Sequence, residues 1–297
     1  MLQKFDDRNK DIQVWLGDKL VHRNEAKVSV FDSTVQGGDA VWEGIRVYNG
    51  KIFCLDKHLN RLQESAKTLA FEKIPSNEYI TDAIKQTVKA NGQMDETHIR
   101  LTLSRGLKIT SGMDPRLNQF GCTLIVLAEW KAPVYPENIK LMTASQRRNS
   151  PSTLDSKIHH NNLLNNILAK IEANHYGVDA AIMLDVYGYV SEANGVNMFM
   201  VKNGKVLTPK ADACLPGITR QTVIEICVAK QIPIIERNLS ISEFYNADEV
   251  FVTGTMGELT VVGEIDRRLI ENKSGINVLD QLQQLFAEKV KVEGELI

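Results

Sequence analysis

The sequence lacks an excess of either charge, a long apolar run and a cysteine-rich segment, and each absence excludes a class of protein. Its 35 Lys and Arg residues against 37 Asp and Glu residues give a formal net charge of −2 at pH 7. A chain without an excess of basic residues lacks the positive charge that is typical of nucleic-acid-binding proteins. The longest apolar stretch, residues 122–128, is far shorter than the roughly 20 residues of a membrane-spanning helix. We therefore expect neither nucleic acid nor a membrane as a partner.

Cysteine is sparse, and its placement excludes a disulfide framework. Cys54, Cys122, Cys214 and Cys227 lie far apart, in no spacing typical of a metal or redox site, and apolar residues flank each one. This pattern favours buried thiols in a reducing compartment. The first residues, Met-Leu-Gln-Lys-Phe-Asp-Asp-Arg, do not form the apolar core of a signal peptide. We expect a cytoplasmic protein.

Motifs for metal and dinucleotide binding are also missing. His159 and His160 are adjacent and no carboxylate cluster accompanies them. Because adjacent side chains do not share one helix face, we predict no metal site. The pair at 37–38, Gly-Gly, lacks the spacing of a dinucleotide fingerprint. The arginine pairs at 147–148 and 267–268 are interpreted as salt-bridging surface residues, because short basic pairs are common on solvated faces.

Strand and helix patterns are mixed along the 297 residues, which predicts an α/β protein with two domains or one large domain. Strand patterns at 12–22 and 40–55 indicate two hairpins, and the second turns at Asn49-Gly50, the strongest two-residue turn signal. Apolar residues at helical spacing predict the helices. They span 58–70, 77–90, 161–175, 217–230 and 278–290.

The best candidate for a linker is Trp-Lys-Ala-Pro-Val-Tyr-Pro-Glu at 130–137, because its two prolines favour extended backbone. We therefore predict a small N-terminal α/β domain at 1–129 and a larger C-terminal α+β domain at 138–297. A polar, glycine-bearing segment at 106–121 separates two strand patterns of the first domain. It is long for a hairpin loop, which favours a functional role.

Three chemical groups follow one another between residues 156 and 219. Lys157 precedes an amphipathic helical pattern, Glu192 lies between two apolar strand patterns, and a proline and a glycine precede Ile218-Thr219 at the next helix start. An amine, a carboxylate and the free backbone N–H groups of a helix start are what a pyridoxal phosphate site needs.

Each of these residues also has an ordinary interpretation: a solvated lysine, a strand-end carboxylate and a polar residue in a first helical turn. The functional interpretation of Lys157 requires a buried position, which would lower the pKa of its amine. That of Glu192 requires a buried carboxylate, which is tolerable beside a permanent positive charge. The helix after Lys157 carries an apolar stripe that we expect to face the core. The stripe consists of Leu163, Leu164, Ile167, Leu168 and Ile171.

A series of separated motifs runs from Asp32 to Ile265. They are Glu-Gly-Ile-Arg-Val-Tyr at 43–48, His-Leu-Asn-Arg-Leu-Gln-Glu-Ser-Ala at 58–66, Ser-Lys at 156–157 with Asn-Asn-Ile-Leu-Ala at 165–169, Gly-Tyr-Val-Ser-Glu at 188–192 with Asn-Met-Phe at 197–199, and Leu-Pro-Gly-Ile-Thr-Arg at 215–220 with Val-Thr-Gly-Thr at 252–255. In this order they resemble the fold-type-IV, or class IV, pyridoxal-phosphate-dependent aminotransferases. The first motif resembles the version found in branched-chain amino acid aminotransferases. The resemblance implies that the larger C-terminal domain binds the cofactor.

The resemblance also implies roles for individual residues. Lys157 would form the Schiff base with pyridoxal 5′-phosphate, and Glu192 would hold the protonated ring nitrogen. A guanidinium, hydroxyls and backbone N–H groups would bind the phosphate, and one leucine would pack against the ring. The implied cofactor-binding residues are Arg61, Lys157, Glu192, Leu215, Gly217, Ile218, Thr219, Gly254 and Thr255. The implied substrate-binding residues, which would seat a carboxylate, are Arg46, His98, Arg100, Thr255 and Met256.

Four positions depart from the branched-chain pattern. His98 and Asn162 stand where those enzymes carry tyrosines, and residues 36–38 replace a segment with a third pocket tyrosine. Val261 stands where the last motif usually ends in proline. None of these changes removes the cofactor chemistry, but all of them leave the substrate open.

The resemblance implies transfer of an amino group between an amino acid and a 2-oxo acid. The motif at 43–46 and Arg100 favour a branched-chain L-amino acid with 2-oxoglutarate. The alternatives are a D-amino acid transaminase, an (R)-selective amine transaminase, an aminodeoxychorismate lyase and a non-catalytic relative. Arg46 and Arg100 disfavour a pure amine substrate, and Lys157 with Glu192 disfavours a non-catalytic protein. The resemblance also implies a homodimer whose active sites lie between the two domains and are completed by the partner subunit. From the length of the segment 106–121, we expect it to reach over a substrate pocket.

Overall fold

The computed structural model describes residues 3–135 and 137–297, and this part of the chain divides into two compact units. The N-terminal unit comprises Gln3–Ala132, Ile158–Asn162 and Val290–Ile297. The C-terminal unit comprises Pro133–Lys157 and Leu163–Lys289. The boundaries at 129 and 138 stay a prediction, and Pro136 of the predicted linker lies outside the described residues.

The N-terminal unit is built on a seven-stranded antiparallel sheet. Its strands are β1 (Gln13–Leu16), β2 (Lys19–His22), β3 (Ala40–Tyr48), β4 (Lys51–Ile52), β5 (Thr97–Ser104), β6 (Thr123–Trp130) and β16 (Glu295–Leu296), in the order β16-β4-β3-β5-β6-β1-β2. Both predicted hairpins are confirmed. The second turns at Asn49 and Gly50, whose φ angles of 48° and 75° are those of the tight turn that Asn-Gly favours.

Helices cover one face of this sheet. They are α2 (Leu55–Thr68) and α3 (Asn77–Asn91), whereas the short helix α1 (Ser33–Gly37) precedes β3 in the chain. The pairing of Ile45 with Ile99 places the apolar residues of β3 and β5 on the face that packs against α2 and α3. Because successive strand residues alternate between faces, Arg46 and its partner His98 lie on the opposite face. The strand register thus separates an apolar core from a polar surface within a single sheet.

The C-terminal unit contains a mixed nine-stranded sheet. Its strands are β7 (Asn138–Thr143), β8 (Ala180–Leu184), β9 (Val190–Ala193), β10 (Asn197–Lys202), β11 (Lys205–Thr208), β12 (Ile234–Glu236), β13 (Glu249–Gly254), β14 (Glu258–Ile265) and β15 (Arg268–Leu269). The order is β12-β11-β10-β13-β14-β7-β8-β9, and β15 pairs with β14. The pairs β11–β12, β14–β7 and β7–β8 are parallel and the others are antiparallel.

Four further helices are α4 (Leu164–Tyr176), α5 (Ile218–Ala229), α6 (Ile241–Tyr245) and α7 (Val278–Val292). The helix predicted at 161–175 begins three residues later, because His159 and Asn161 hydrogen-bond to the backbone of β3 instead. The expected core-facing stripe of α4 is wrong: Leu164 is 65% exposed and Ile167 is 49% exposed. The helix instead buries Ala169 and Ala173, whose small side chains allow close packing on β8.

The described residues contain neither a candidate membrane span nor a candidate metal cluster. Across 3–135 and 137–297, no helix combines the length and the apolar character needed to cross a bilayer. Nor do three or more His, Cys, Asp or Glu side chains in these ranges come together as potential metal ligands.

Candidate active site

Lys157 lies in the C-terminal unit, in the loop that precedes α4. Its Nζ atom lies 3.1 Å from Oδ1 of Asp155 and donates to the carbonyl oxygen of Asp212 at 3.1 Å. The expectation that Lys157 is buried is wrong, because 41% of its side chain is exposed. The apolar stripe of α4, which was expected to face the core, is also exposed. The amine is therefore an accessible group that is tied to the loop preceding α5.

Glu192 on β9 is the buried carboxylate that the sequence predicts. Its Oε1 accepts a hydrogen bond from Nε of Arg148 at 2.6 Å, and its Oε2 accepts one from Nδ2 of Asn197 at 3.1 Å. The interpretation of Arg148 as a surface residue is wrong: its side chain is 6% exposed, and Nη1 donates to Asn165. A buried carboxylate requires such a permanent cation. Arg148 supplies it for Glu192.

Asn197 connects Glu192 to the start of α5. Its Nδ2 also donates to the carbonyl oxygen of Leu215 at 2.9 Å. A Cβ atom at Gly217 would lie 2.0 Å from Oδ1 of Asn197, so this close approach requires glycine. Gly217 precedes α5 without a side-chain cap, and Thr219 in the first turn is buried. The first backbone N–H groups of α5 thus lie uncapped near the carboxylate, and a helix start of this kind suits an anion.

The end of β13 lies beside the same asparagine. Thr253 pairs with Asn197 in the register of β10 and β13. Among the described residues, the buried hydroxyl of Thr253 has no hydrogen-bond partner. A Cβ at Gly254 would approach Val196 to 2.9 Å, and the following Thr255 and Met256 are half-buried. The backbone here is close-packed and leaves a polar atom available to a bound group.

Arg61 lies in the N-terminal unit on α2, and only 12% of its side chain is exposed. Its Nε and Nη2 atoms donate to the two carboxylate oxygens of Glu43 at 2.8 and 2.6 Å. Such a bidentate pair fixes the plane of the guanidinium. The family resemblance implied a phosphate-binding role for Arg61 but did not identify the carboxylate that holds it.

The polar face of the N-terminal sheet carries three of the predicted substrate residues. Arg46 is paired with His98 across β3 and β5, and Arg100 lies on the same face. Burial lowers the pKa of Arg100 to about 10. Its guanidinium carbon lies 3.4 Å from the centroid of Trp42, and Nη2 donates to Asn161 at 3.1 Å. The environment is cationic and partly desolvated, which suits the binding of a carboxylate.

His98 has the strongest electrostatic perturbation of this face. Burial, followed by the charges of Lys131, Arg100 and Arg46, lowers the pKa of His98 to about 3. The half-buried Glu129 is its partner on β6. At neutral pH the ring is therefore neutral and contributes one donor and one acceptor.

The predicted site residues form two groups, one in each unit. The N-terminal unit holds Arg46, Arg61, His98 and Arg100. The C-terminal unit holds Lys157, Glu192, Leu215, Gly217, Ile218, Thr219, Gly254, Thr255 and Met256. Sequence reasoning missed Arg148, Asn197 and Glu43 as their partners. A buried Glu192 requires a cation nearby, so the sequence predicts that some basic residue pairs with it. The sequence does not indicate which arginine this is.

Comparison with known proteins assigns the family. The family model for amino-transferase class IV matches residues 40–265, a range that contains both groups of site residues. The chain belongs to the class IV aminotransferase family. The predicted fold type is also confirmed by solved structures of this family.

Individual class IV relatives cover the chain almost completely. The Arabidopsis thaliana branched-chain-amino-acid aminotransferase-like protein 2 is 61% identical over 96% of this chain and 52% of its own length. The chain thus spans about half the length of this curated relative. The structure of the Escherichia coli branched-chain amino acid aminotransferase matches 96% of both chains with a TM-score of 0.89 and 31% identity. The T.th. branched-chain amino acid aminotransferase complexed with N-(5′-phosphopyridoxyl)-L-glutamate has a TM-score of 0.87 and 33% identity, and covers 95% of both chains.

Proposed function

We propose that this chain is a pyridoxal-phosphate-dependent aminotransferase that transfers an amino group between an amino acid and a 2-oxo acid. The observation that carries the proposal is the connection made by Asn197, which bonds both to buried Glu192 and to the turn before α5. It places a carboxylate beside an uncapped helix start. Family membership and the phosphopyridoxyl compound in the T.th. relative support the same cofactor.

The donor set of the C-terminal unit fits pyridoxal phosphate. The backbone N–H groups at Ile218 and Thr219 suit a phosphate, and the carboxylate of Glu192 suits a protonated ring nitrogen. The unpartnered hydroxyl of Thr253 offers a further polar contact. When bound, the cofactor supplies an electron sink for the charge left on the substrate Cα.

The residues of this chain would then divide the work. Lys157 would hold the cofactor through its amine and would take up and return the proton at the substrate Cα. Its accessible amine and its bonds to Asp155 and Asp212 keep it at the loop before α5. Glu192 would accept a hydrogen bond from the protonated ring nitrogen, and Arg148 pairs with the carboxylate of Glu192 at 2.6 Å. Arg61 would contribute a charge-assisted bond to the phosphate.

The polar face of the N-terminal sheet supports a substrate with a carboxylate. Arg46, His98 and Arg100 would seat that group, with the backbone near Thr255 and Met256 as further donors. The favoured pair is a branched-chain L-amino acid with 2-oxoglutarate, since the relatives carry branched-chain names. A D-amino acid transaminase is the second candidate, because it would use the same cofactor and because His98 and Asn162, which replace pocket tyrosines, leave the substrate open. The cationic face counts against a pure amine substrate.

A homodimer is part of the proposal. The segment 106–121 and its neighbours carry apolar side chains that a monomer leaves exposed. They are Val30, Phe31, Val35, Leu107, Ile109, Met113 and Phe120, with exposures from 37 to 98%. Exposed apolar clusters of this kind mark interaction sites, and a second copy of the chain would cover them.

The four cysteines are free thiols, which supports the reducing environment of the cytoplasm.

The test of the function is attachment of the cofactor to Lys157. Purified protein is loaded with pyridoxal phosphate, reduced with borohydride and mapped by peptide mass spectrometry, and the pyridoxyl label should lie on Lys157. Lys157→Ala should lose both the label and transamination of L-leucine with 2-oxoglutarate. Lys202→Ala is the matched control, because Lys202 is 43% exposed and also bonds to a carboxylate and a backbone carbonyl. A label that stays on another lysine would overturn the assignment.

A further inference from the structure

Glu43 is a fully buried carboxylate whose two oxygens accept four hydrogen bonds. Oε2 accepts from Nδ1 of His58 at 2.7 Å and from Nη2 of Arg61 at 2.6 Å. Oε1 accepts from Nε of Arg61 at 2.8 Å and from Nδ1 of His159 at 3.1 Å. The side chain of Glu43 is 0% exposed. All of these residues belong to the N-terminal unit.

The charges of this cluster follow from burial and from the guanidinium. Burial opposes ionisation of Glu43, but the charge of Arg61 and the hydrogen bonds from Arg61 and His159 outweigh it and hold the pKa of the Glu43 carboxyl well below its usual range. Burial lowers the pKa of His58, and it lowers the pKa of His159 to about 4. At neutral pH the cluster therefore contains one carboxylate, one guanidinium and two neutral imidazoles. Because a carboxylate only accepts, both imidazoles carry their proton on Nδ1.

His159 extends the cluster to the strand that carries Glu43. Its ring packs on Trp42 with centroids 4.1 Å apart. Its backbone carbonyl accepts from the N–H of Trp42 at 2.9 Å, and its N–H donates to Ser65 at 3.1 Å. In the sequence His159 follows Lys157 by two residues. One carboxylate thus holds both an arginine on α2 and the segment that follows the lysine.

We propose that Glu43 is a positioning residue that fixes the guanidinium of Arg61 for the cofactor phosphate and anchors the segment after Lys157 through His159. The inference rests on the proposed function. It concerns how Arg61 is held, and it gives Glu43 no contact with the substrate or the cofactor.

A change to glutamine tests this role because of its donor geometry. Each oxygen of Glu43 accepts from Arg61, one from Nε and the other from Nη2. A glutamine amide replaces one oxygen with an NH₂ group, so in either orientation a donor faces a guanidinium N–H. Arginine has no acceptor and loses one of its two bonds. The histidine on the same side can respond by moving its proton to Nε2.

The first measurement is the dissociation constant of pyridoxal phosphate from the full-length protein, followed by absorbance. Glu43→Gln should weaken binding by about tenfold or more, as expected for loss of a charge-assisted bond that orients the phosphate ligand. Asp39→Asn is the matched control, since the carboxylate of Asp39 accepts hydrogen bonds from Nε and Nη2 of Arg105 in the same unit. Its dissociation constant should equal that of the wild type. Equal affinity in Glu43→Gln and the wild type would overturn the inference.

A double-mutant cycle asks whether Glu43 acts through Arg61. In the Arg61→Ala background, Glu43→Gln should cause a smaller loss of cofactor affinity than in the wild-type background, because only the contribution through His159 remains. A full additional loss would show that Glu43 acts by another route and would overturn the inference. These outcomes differ from failure of the proposed function, in which the wild type itself would show no label at Lys157.

A spectroscopic measurement on the wild-type protein tests the cluster even if the variant does not fold. In wild-type protein with ¹⁵N-labelled histidine, His58 and His159 should both be neutral with the proton on Nδ1 at pH 7. In Glu43→Gln one of them should change to the Nε2–H form. An Nε2–H form at either residue in the wild type would contradict the cluster as described.

Discussion

Lowering the pH from 7 to 5 should destabilise the N-terminal unit, because the folded unit buries histidines in their neutral form. Burial, together with the charges of Lys131, Arg100 and Arg46, lowers the pKa of His98 to about 3. Burial also lowers the pKa of His159 to about 4. An unfolded histidine has a pKa of about 6.5. Between these values the unfolded state binds more protons than the folded state.

The sign and the size of the effect follow from this difference. Stability is unaffected above about pH 6.5 and falls as the pH drops toward the folded-state values. Each histidine contributes about 1.4 kcal/mol per pH unit, so at pH 5 His98 and His159 each cost about 2 kcal/mol. The sum of about 4 kcal/mol is a large part of the roughly 5–15 kcal/mol that stabilises a typical domain. Burial shifts the pKa of His58 in the same direction.

Tryptophan fluorescence makes this prediction specific to one unit. The chain has three tryptophans, Trp15, Trp42 and Trp130, and all of them belong to the N-terminal unit. Urea unfolding at pH 7 and pH 5 should show the loss in the wild type, and His98→Gln should reduce the loss by about 2 kcal/mol. His175→Gln, which changes an exposed ring in the C-terminal unit, should keep all of it. The same pH dependence in His98→Gln as in the wild type would refute the reasoning.

Four further predictions concern the proposed active site. Glu192→Gln should bind the cofactor but slow proton transfer strongly, since a neutral amide does not hold the ring nitrogen charged; single-turnover absorbance measures this, and near-wild-type turnover would contradict it. Arg61→Ala should weaken cofactor binding by about 1.5–3 kcal/mol and Thr219→Ala by less, because only the arginine brings a positive charge to the phosphate. Titration that gives equal cofactor affinity for the wild type and both variants would contradict the assignment. Arg100→Ala should raise the KM for 2-oxo acids with unchanged cofactor affinity, and an unchanged KM would return Arg100 to a structural role. Light scattering at micromolar concentration should report a dimer, which an active monomer would contradict.

Sequence reasoning predicted best the elements whose signals are local. The Asn49-Gly50 hairpin and the helices α3 and α5 agree with the structure to within a residue or two. Their signals, a turn dipeptide and apolar spacing bounded by glycine, act within one element. The start of α4 was missed because Trp42 and Ala40, more than a hundred residues away, bind the backbone of 159–161.

The candidate site shows the same division between local and long-range signals. Glu192 and the helix start at Gly217 could be predicted because their residue types and order match a family. The exposure of Lys157 could not be predicted, since the apolar stripe of α4 is equally compatible with a buried and with an exposed helix face. The partners Arg148 and Glu43 depend on separations of 44 and 18 residues in the chain. Sequence spacing alone does not specify such pairs.

The N-terminal unit is assembled from three separate pieces of the chain, and this has a consequence for its biosynthesis. The edge strand β16 comes from residues 295–296, yet it pairs with β4 at residues 51–52. Glu295 of β16 also forms an ion pair at 2.8 Å with Lys85 of α3. While the ribosome is still making the C-terminal unit, the edge of β4 stays open to pairing with other chains. A fragment ending at residue 132 would keep that open edge permanently and would also lack the segment 158–162. We therefore expect such a fragment to aggregate, and expect the addition of a peptide covering 290–297 to reduce its aggregation.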